Sequence, residues 1–271
     1  SIFLISASIF DILSKKYDIK PSLVAGHSSG EFAAIYAAGG INFVDALYLL
    51  NKRSLFMQEV TQKQNGGMLA VIGMDQEELQ EICKKYDDPS GDCKVAEIVN
   101  YNSSDQLVVS GTLPELENIK ADVKSAKKKA IMLNVAGAFH SRMMKEAEKK
   151  FDSYMLKVDI KDLSVPLVNN LQAKSVVDHQ DVKDSLVGQM SSPVLWWQSV
   201  QRFKDMDLIL EIGPGPKLSK ILQREWPDKK IFSVSTPQDL VNLLTMLGKK
   251  LIVEDVDVKA EIKDLKAEAF K

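Results

Sequence analysis

Leu23-Val24-Ala25-Gly26-His27-Ser28-Ser29-Gly30-Glu31-Phe32-Ala33-Ala34-Ile35-Tyr36-Ala37-Ala38 is the stretch that decides the fold. Leu23 to Ala25 is a short apolar run suited to a buried strand, and Glu31 to Ala38 is Ala-rich and helical. Between them lies Gly26-His27-Ser28-Ser29-Gly30, with G-x-S-x-G spacing. A strand that turns into a helix through such a pentapeptide is a nucleophile elbow. Small residues permit the tight turn, and the serine oxygen is held up at the helix N-terminus. There the free backbone N–H groups and the helix dipole favour a developing oxyanion. Gly39-Gly40 then supplies a C-terminal stop.

Outward from this centre, strands alternate with helices. Upstream, Ser1 to Phe10 is apolar, far too short to span a bilayer, and reads as a buried amphipathic helix. Downstream, Asn42 caps a helix that runs to about Thr61. After Gly137 a helix carries Met144, Ala147, Phe151 and Met155 on one stripe. A strand at Val165 to Val168, helices near Val182 to Met190 and Leu195 to Phe203, and a strand at Leu208 to Leu210 follow. Gly213-Pro214-Gly215-Pro216 leads to a helix through Leu218 and Leu222, and Leu251 to Lys271 reads as a solvated helix or tail. This order predicts an α/β fold with a parallel sheet covered on both faces.

Between Gly66 and Val135 the pattern changes to strand (Met68 to Ile72), helix (Asp75 to Tyr86), two strands (Ala96 to Val99, Leu107 to Ser110), helix (Leu113 to Lys128) and strand (Ala130 to Val135). That order, βαββαβ, is the ferredoxin-like unit. Residues 1–63 and 137–271 are therefore expected to form one large domain, and residues 64–136 a small inserted one.

Composition excludes several functions. With 35 basic and 37 acidic residues the formal net charge is -2, unlike the basic footprint of a nucleic-acid binder. Cys83 and Cys93 are the only cysteines and read as reduced thiols, as in the cytoplasm. No cluster with metal-ligand spacing is visible.

Three further residues carry candidate chemistry. Arg53 falls in the middle of the apolar stripe Ala46, Leu49, Leu50, Phe56, Met57 and Val60. A guanidinium there needs an internal carboxylate, a bent helix that exposes it, or a substrate anion, because an unpaired buried charge is expensive. His140 follows Val135-Ala136-Gly137-Ala138-Phe139 and precedes a helix, whose dipole would keep the imidazole neutral, as a general base requires. The other histidines offer less: His27 is pinned in the elbow and His179 lies in a polar stretch. Gln189 shares a stripe with Val182 and Leu186, so its amide either points inward to orient a base or caps a helix end.

Together these residues resemble the malonyl-CoA:acyl carrier protein transacylase family, from Ser1 to about Leu222. Gly26-His27-Ser28-Ser29-Gly30-Glu31 is similar to its G-H-S-x-G-E signature, Gly137-Ala138-Phe139-His140-Ser141 to its histidine motif, and Leu186 to Gln189 with Ser192-Pro193 to its glutamine segment. The resemblance implies a hydrolase-like α/β domain interrupted by a ferredoxin-like one. It implies Ser28 as acyl-accepting nucleophile, His140 as base, and Gln189 accepting from that histidine through its amide oxygen. It also implies Arg53 pairing with a malonyl carboxylate and Phe139 as a residue of malonyl enzymes. Malonyl-CoA and an acyl carrier protein bearing phosphopantetheine are the implied partners, with no cofactor and no metal.

Two departures stand beside the resemblance. The family's upstream strand and G-Q-G-type loop, which supply half of its oxyanion hole, precede Ser1, leaving the Ser29 N–H as donor; Ser29 also stands where a larger aliphatic residue is commoner. The chain does not begin with Met, so a freestanding monomer and a piece of a larger synthase are both compatible with it. Two rival functions share the scaffold: a hydrolase of acyl carrier proteins, and a catalytically idle docking partner of a synthase.

Overall fold

The structure, a computed structural model, describes residues 2–91 and 93–252. In chain order its elements are α1 (Ile2–Asp11), β1 (Val24–Ala25), α2 (Glu31–Ala37), α3 (Phe43–Thr61), β2 (Gly66–Ile72), α4 (Gln76–Tyr86), β3 (Ala96–Tyr101), β4 (Gln106–Thr112), α5 (Leu113–Ser125) and β5 (Lys129–Met132). There follow α6 (Lys145–Met155), β6 (Leu167–Val168), β7 (Ser175–Val176), α7 (His179–Gly188), α8 (Trp196–Val200), β8 (Ile209–Ile212), α9 (Leu218–Glu225), β9 (Ile231–Val234) and α10 (Pro237–Met246). The fold is α/β, and the tail expected beyond Leu251 lies almost wholly outside the described residues.

Local chemistry sets the elements that carry the centre. Gly39 takes φ 79 and ends α2, and the Gly40 N–H reaches back to the Ile35 carbonyl at 3.0 Å. Asn42 then caps α3 by accepting the Asp45 N–H at 2.9 Å. The inner stripe of α3 packs on α6: Leu49, Phe56 and Val60 join Ala147, Phe151 and Met155 in the main core, with Phe32 and Ile35 of α2 beneath them. Burying each such large apolar side chain contributes about 1.5–3 kcal/mol.

The parallel sheet is shorter than expected. β1 pairs in parallel with β6, and β8 with β9, but β7 returns antiparallel to β6. Asn169 is the reason: its side chain accepts the N–H groups of Gln172 and Lys174, closing a tight turn where a crossover would be needed for a parallel neighbour. The α1 helix is buried only at Phe3, Ser6 and Ala7, whereas Ile2 is 55% exposed. It is thus one-sided, as an amphipathic helix is, with Leu4 and Ile5 also on its exposed face.

The βαββαβ unit forms as read, an antiparallel sheet in the order β3-β4-β2-β5. Alternation along β2 gives the sheet two apolar faces. Leu69 and Val71 pack under α4 and α5 with Leu79, Ile82, Leu116 and Ile119. Met68 and Ala70 point the other way, with Val99 and Val108, and receive Phe139. That second face is the floor on which the site is built.

Candidate active site

Ser28 sits at the turn from β1 into α2 with φ 52, a left-handed backbone that non-glycine residues adopt only where the surroundings enforce it. A Cβ on Gly26 would come within 2.1 Å of the Gly30 carbonyl carbon, so the first glycine of the motif is a steric requirement. Around Gly30 there is open space. Asn170, just past β6, braces the turn: its Nδ2 donates to the Gly26 carbonyl at 2.7 Å and its Oδ1 accepts the Ser28 N–H at 2.7 Å. Asn170 is absent from the sequence reading. Its one signal is position, at the carboxyl end of a strand, where open α/β sheets place their sites.

His140 approaches from the far side of the cleft. Its φ is 63, and the short turn Arg142–Met144 carries the chain from it into α6. The Arg142 guanidinium anchors this turn to the small sheet, reaching Glu97 at 2.5 Å, Asp87 at 2.9 Å and the carbonyls of Asp88, Gly91 and Lys94. His140 is 4% exposed. Its Nε2 lies 2.8 Å from Ser28 Oγ, and its Nδ1 lies 2.8 Å from the Gln189 backbone carbonyl. A carbonyl only accepts, so Nδ1 carries the proton and Nε2 offers its lone pair to the serine hydroxyl. Burial, and then the Arg53 charge, hold the imidazole down at about 3. The ring is neutral as expected, but through desolvation and a neighbouring cation rather than through the helix dipole.

Gln189 reaches His140 by a different atom from the one anticipated. The backbone carbonyl accepts from the imidazole, because the side-chain amide is committed elsewhere: Oε1 accepts from Arg53 at 3.2 Å, and Nε2 donates to Glu31.

Arg53 is 7% exposed, so α3 does not bend it out. Its guanidinium donates to Ser28 Oγ at 3.1 Å and to Gln189 Oε1, while its Nε has no partner. Among the described residues no carboxylate lies within ion-pair distance of it. Burial lowers its pKa to about 10, and the nearby charge of Glu31 opposes that shift. Glu31 is fully buried and pushed up to about 7 by desolvation, against hydrogen bonds from Ser185, Asn170 and Gln189. The sequence reading gave Glu31 no role.

Ser28, His140, Arg53, His27, Phe139 and Met68 line one cleft of about 520 Å³. His27 is held by Asn102 at 2.9 Å and lies edge-on to Trp196. Ser29 is half-buried and does not line the cleft. A serine hydroxyl donating to a neutral, oriented imidazole, at the start of a helix, can attack an acyl carbon and hold the acyl group as an ester. The described residues that gather in metal-ligand fashion, Asp162, Asp178 and His179, are exposed; His179 already pairs with Asp162, and Asp178 caps α7.

The family model described as "Acyl transferase domain" matches residues 1–242. The malonyl CoA-acyl carrier protein transacylase of Bacillus subtilis is 35% identical over 229 residues, covering 83% of this chain and 71% of that protein. The crystal structure of an acyl-carrier-protein S-malonyltransferase from Burkholderia pseudomallei superimposes with a TM-score of 0.83 at 32% identity, over 90% of this chain and 79% of that one. A malonyl-transacylase solved in complex with a type II PKS acyl-carrier protein gives 0.85 at 30% identity, over 90% and 79%. With the match over residues 1–242, the chain belongs to the acyl transferase domain family and is an acyltransferase.

Proposed function

We propose that this acyltransferase moves a malonyl group from malonyl-CoA to the phosphopantetheine thiol of an acyl carrier protein, through a malonyl ester on Ser28. The observation that carries the reading is the 2.8 Å contact of Ser28 Oγ with His140 Nε2 in a cleft that also holds the buried Arg53. The names of the relatives agree with it.

Ser28 Oγ attacks the thioester carbon while its proton passes to His140 Nε2. The imidazolium is steadied by the Gln189 carbonyl on Nδ1. The donor assigned to the developing oxyanion is the Ser29 N–H, the backbone amide next to Ser28 at the start of the helical turn; one such donor contributes about 10²–10³ in rate. The carbon–sulfur bond breaks, CoA sulfur takes the proton from His140, and malonyl-Ser28 remains. In the second half-reaction the carrier thiol gives its proton to His140 and its sulfur attacks the ester. Ser28 leaves with that proton restored, so the kinetics are ping-pong. Arg53 holds the malonyl carboxylate by a charge-assisted fork in both halves. Phe139 and Met68 supply the apolar wall, and Ser29 shapes the turn rather than the pocket. Acyl exchange between two thiols is redox-neutral and calls for no cofactor beyond the thioester. A reducing cytoplasmic setting accords with the unpaired Cys83 and Cys93.

Mixing the protein with malonyl-CoA and carrier protein bearing phosphopantetheine tests this reading. Malonyl-carrier should accumulate with little free malonate. Free malonate as the main product would instead identify a hydrolase.

A further inference from the structure

The buried charge that the transfer reaction leaves unused is Glu31. Its carboxylate is fully enclosed and accepts from three groups: the Ser185 hydroxyl at 2.9 Å, the Asn170 N–H at 3.3 Å and the Gln189 amide nitrogen. Ionised, as it is above about pH 7, that carboxylate only accepts. It therefore decides which end of the Gln189 amide faces which neighbour: Nε2 turns to Glu31, and Oε1 is left to Arg53. An amide turned the other way would aim N–H groups at a guanidinium. Arg53 has no carboxylate within ion-pair distance among the described residues, so it feels the Glu31 charge through space and is tied to it by hydrogen bonds through this amide.

We propose that Glu31 is a positioning residue that aims Arg53 at the substrate carboxylate through the Gln189 side-chain amide, so that it sets the preference for a carboxylated acyl group without touching it. This rests on the reading of Arg53 as the malonyl clamp. The relay holds Nη2 of the guanidinium on Gln189 Oε1, beside its contact with Ser28 Oγ, while Arg53 still lines the cleft and keeps a terminal nitrogen uncommitted by either bond. Direct ion pairing with Glu31 would have consumed the fork. An intervening neutral amide steadies the cation and keeps it available for a second anion. Through the Asn170 N–H, Glu31 also supports the residue that braces the elbow, so clamp and nucleophile share one buried anchor.

The test loads full-length protein from malonyl-CoA and, separately, from acetyl-CoA, and reads the ratio of the two acylation rates. Glu31→Gln should lower the malonyl-to-acetyl ratio about tenfold, and should lower it no further when Arg53→Ala is already present. Gln189→Met removes the relay while keeping the backbone carbonyl under His140, and should give the same fall; it serves if Glu31→Gln does not fold. If Arg53→Ala abolishes the preference but Glu31→Gln and Gln189→Met slow both substrates equally, the positioning role is overturned and the clamp stands. If Arg53→Ala leaves the preference intact, the clamp itself is wrong and this inference falls with it.

Discussion

Gln189 serves His140 and Arg53 with different parts of itself: its backbone carbonyl accepts from His140 Nδ1 at 2.8 Å while its side-chain oxygen accepts from Arg53 at 3.2 Å. The imidazole and the guanidinium are thus held by one residue at the end of α7, and the two contacts separate under mutation. Gln189→Ala retains the carbonyl, so acylation by a neutral acyl-CoA should survive better than acylation by malonyl-CoA. Equal losses for both would contradict this division.

The imidazole is held down at about 3 by burial and by Arg53, well below its ordinary 6.5. A base with so low a pKa stays unprotonated across the working range. Single-turnover acylation of Ser28 by saturating acetyl-CoA, which makes no call on Arg53 or on the Glu31 relay, should show no inflection near pH 6.5. A fall in rate with a midpoint near 6.5 would place His140 in a wetter environment than the one described.

Glu31 shifts in the opposite sense, up to about 7 from 4.5, so the folded state holds its proton more firmly than the unfolded chain does. Its contribution to stability is therefore complete below pH 4.5 and is lost as pH rises through 7. Glu31→Gln cannot lose that proton. Relative to wild type it should gain stability between pH 5 and pH 8, by about 3 kcal/mol at most. Denaturant melts at the two pH values check this, and a difference of the opposite sign would refute it.

Asn170 satisfies two buried backbone groups of the elbow at once. Asn170→Leu should destabilise the fold by about 2 kcal/mol or more, since each orphaned group costs about 1–3 kcal/mol. It should also slow Ser28 acylation, because the strained φ of Ser28 loses its brace. An unchanged acylation rate would mean that the turn holds itself.

What the sequence makes legible is local or periodic. The elbow around Ser28 shows in a strand, a turn and a helix lying side by side, and the odd position of Arg53 shows against the apolar stripe of α3. The βαββαβ unit shows because each element is long enough to display its period. By contrast, β6 and β7 hold two residues each, too few for any alternation, and their antiparallel pairing depends on the Asn169 side chain. Helix α10 did carry a signal, the capping box of Thr236 and Asp239 on either side of Pro237, and it is missing from the reading. Glu31 and Asn170 stay hidden for another reason. They meet across 139 residues of chain through single hydrogen bonds, and such contacts leave no spacing to read. Gln189 lies between these cases: its inward position is legible, whereas the choice of its carbonyl over its amide depends on where Arg53 and Glu31 fall.

Peptide-level mass mapping after brief exposure to malonyl-CoA tests the central claim most directly. A malonyl ester is expected on the peptide that contains Ser28, absent from Ser28→Ala and strongly reduced in His140→Ala. Wild-type protein that stays unmodified, or an adduct that persists in Ser28→Ala, would contradict the assignment of that hydroxyl as the acyl carrier.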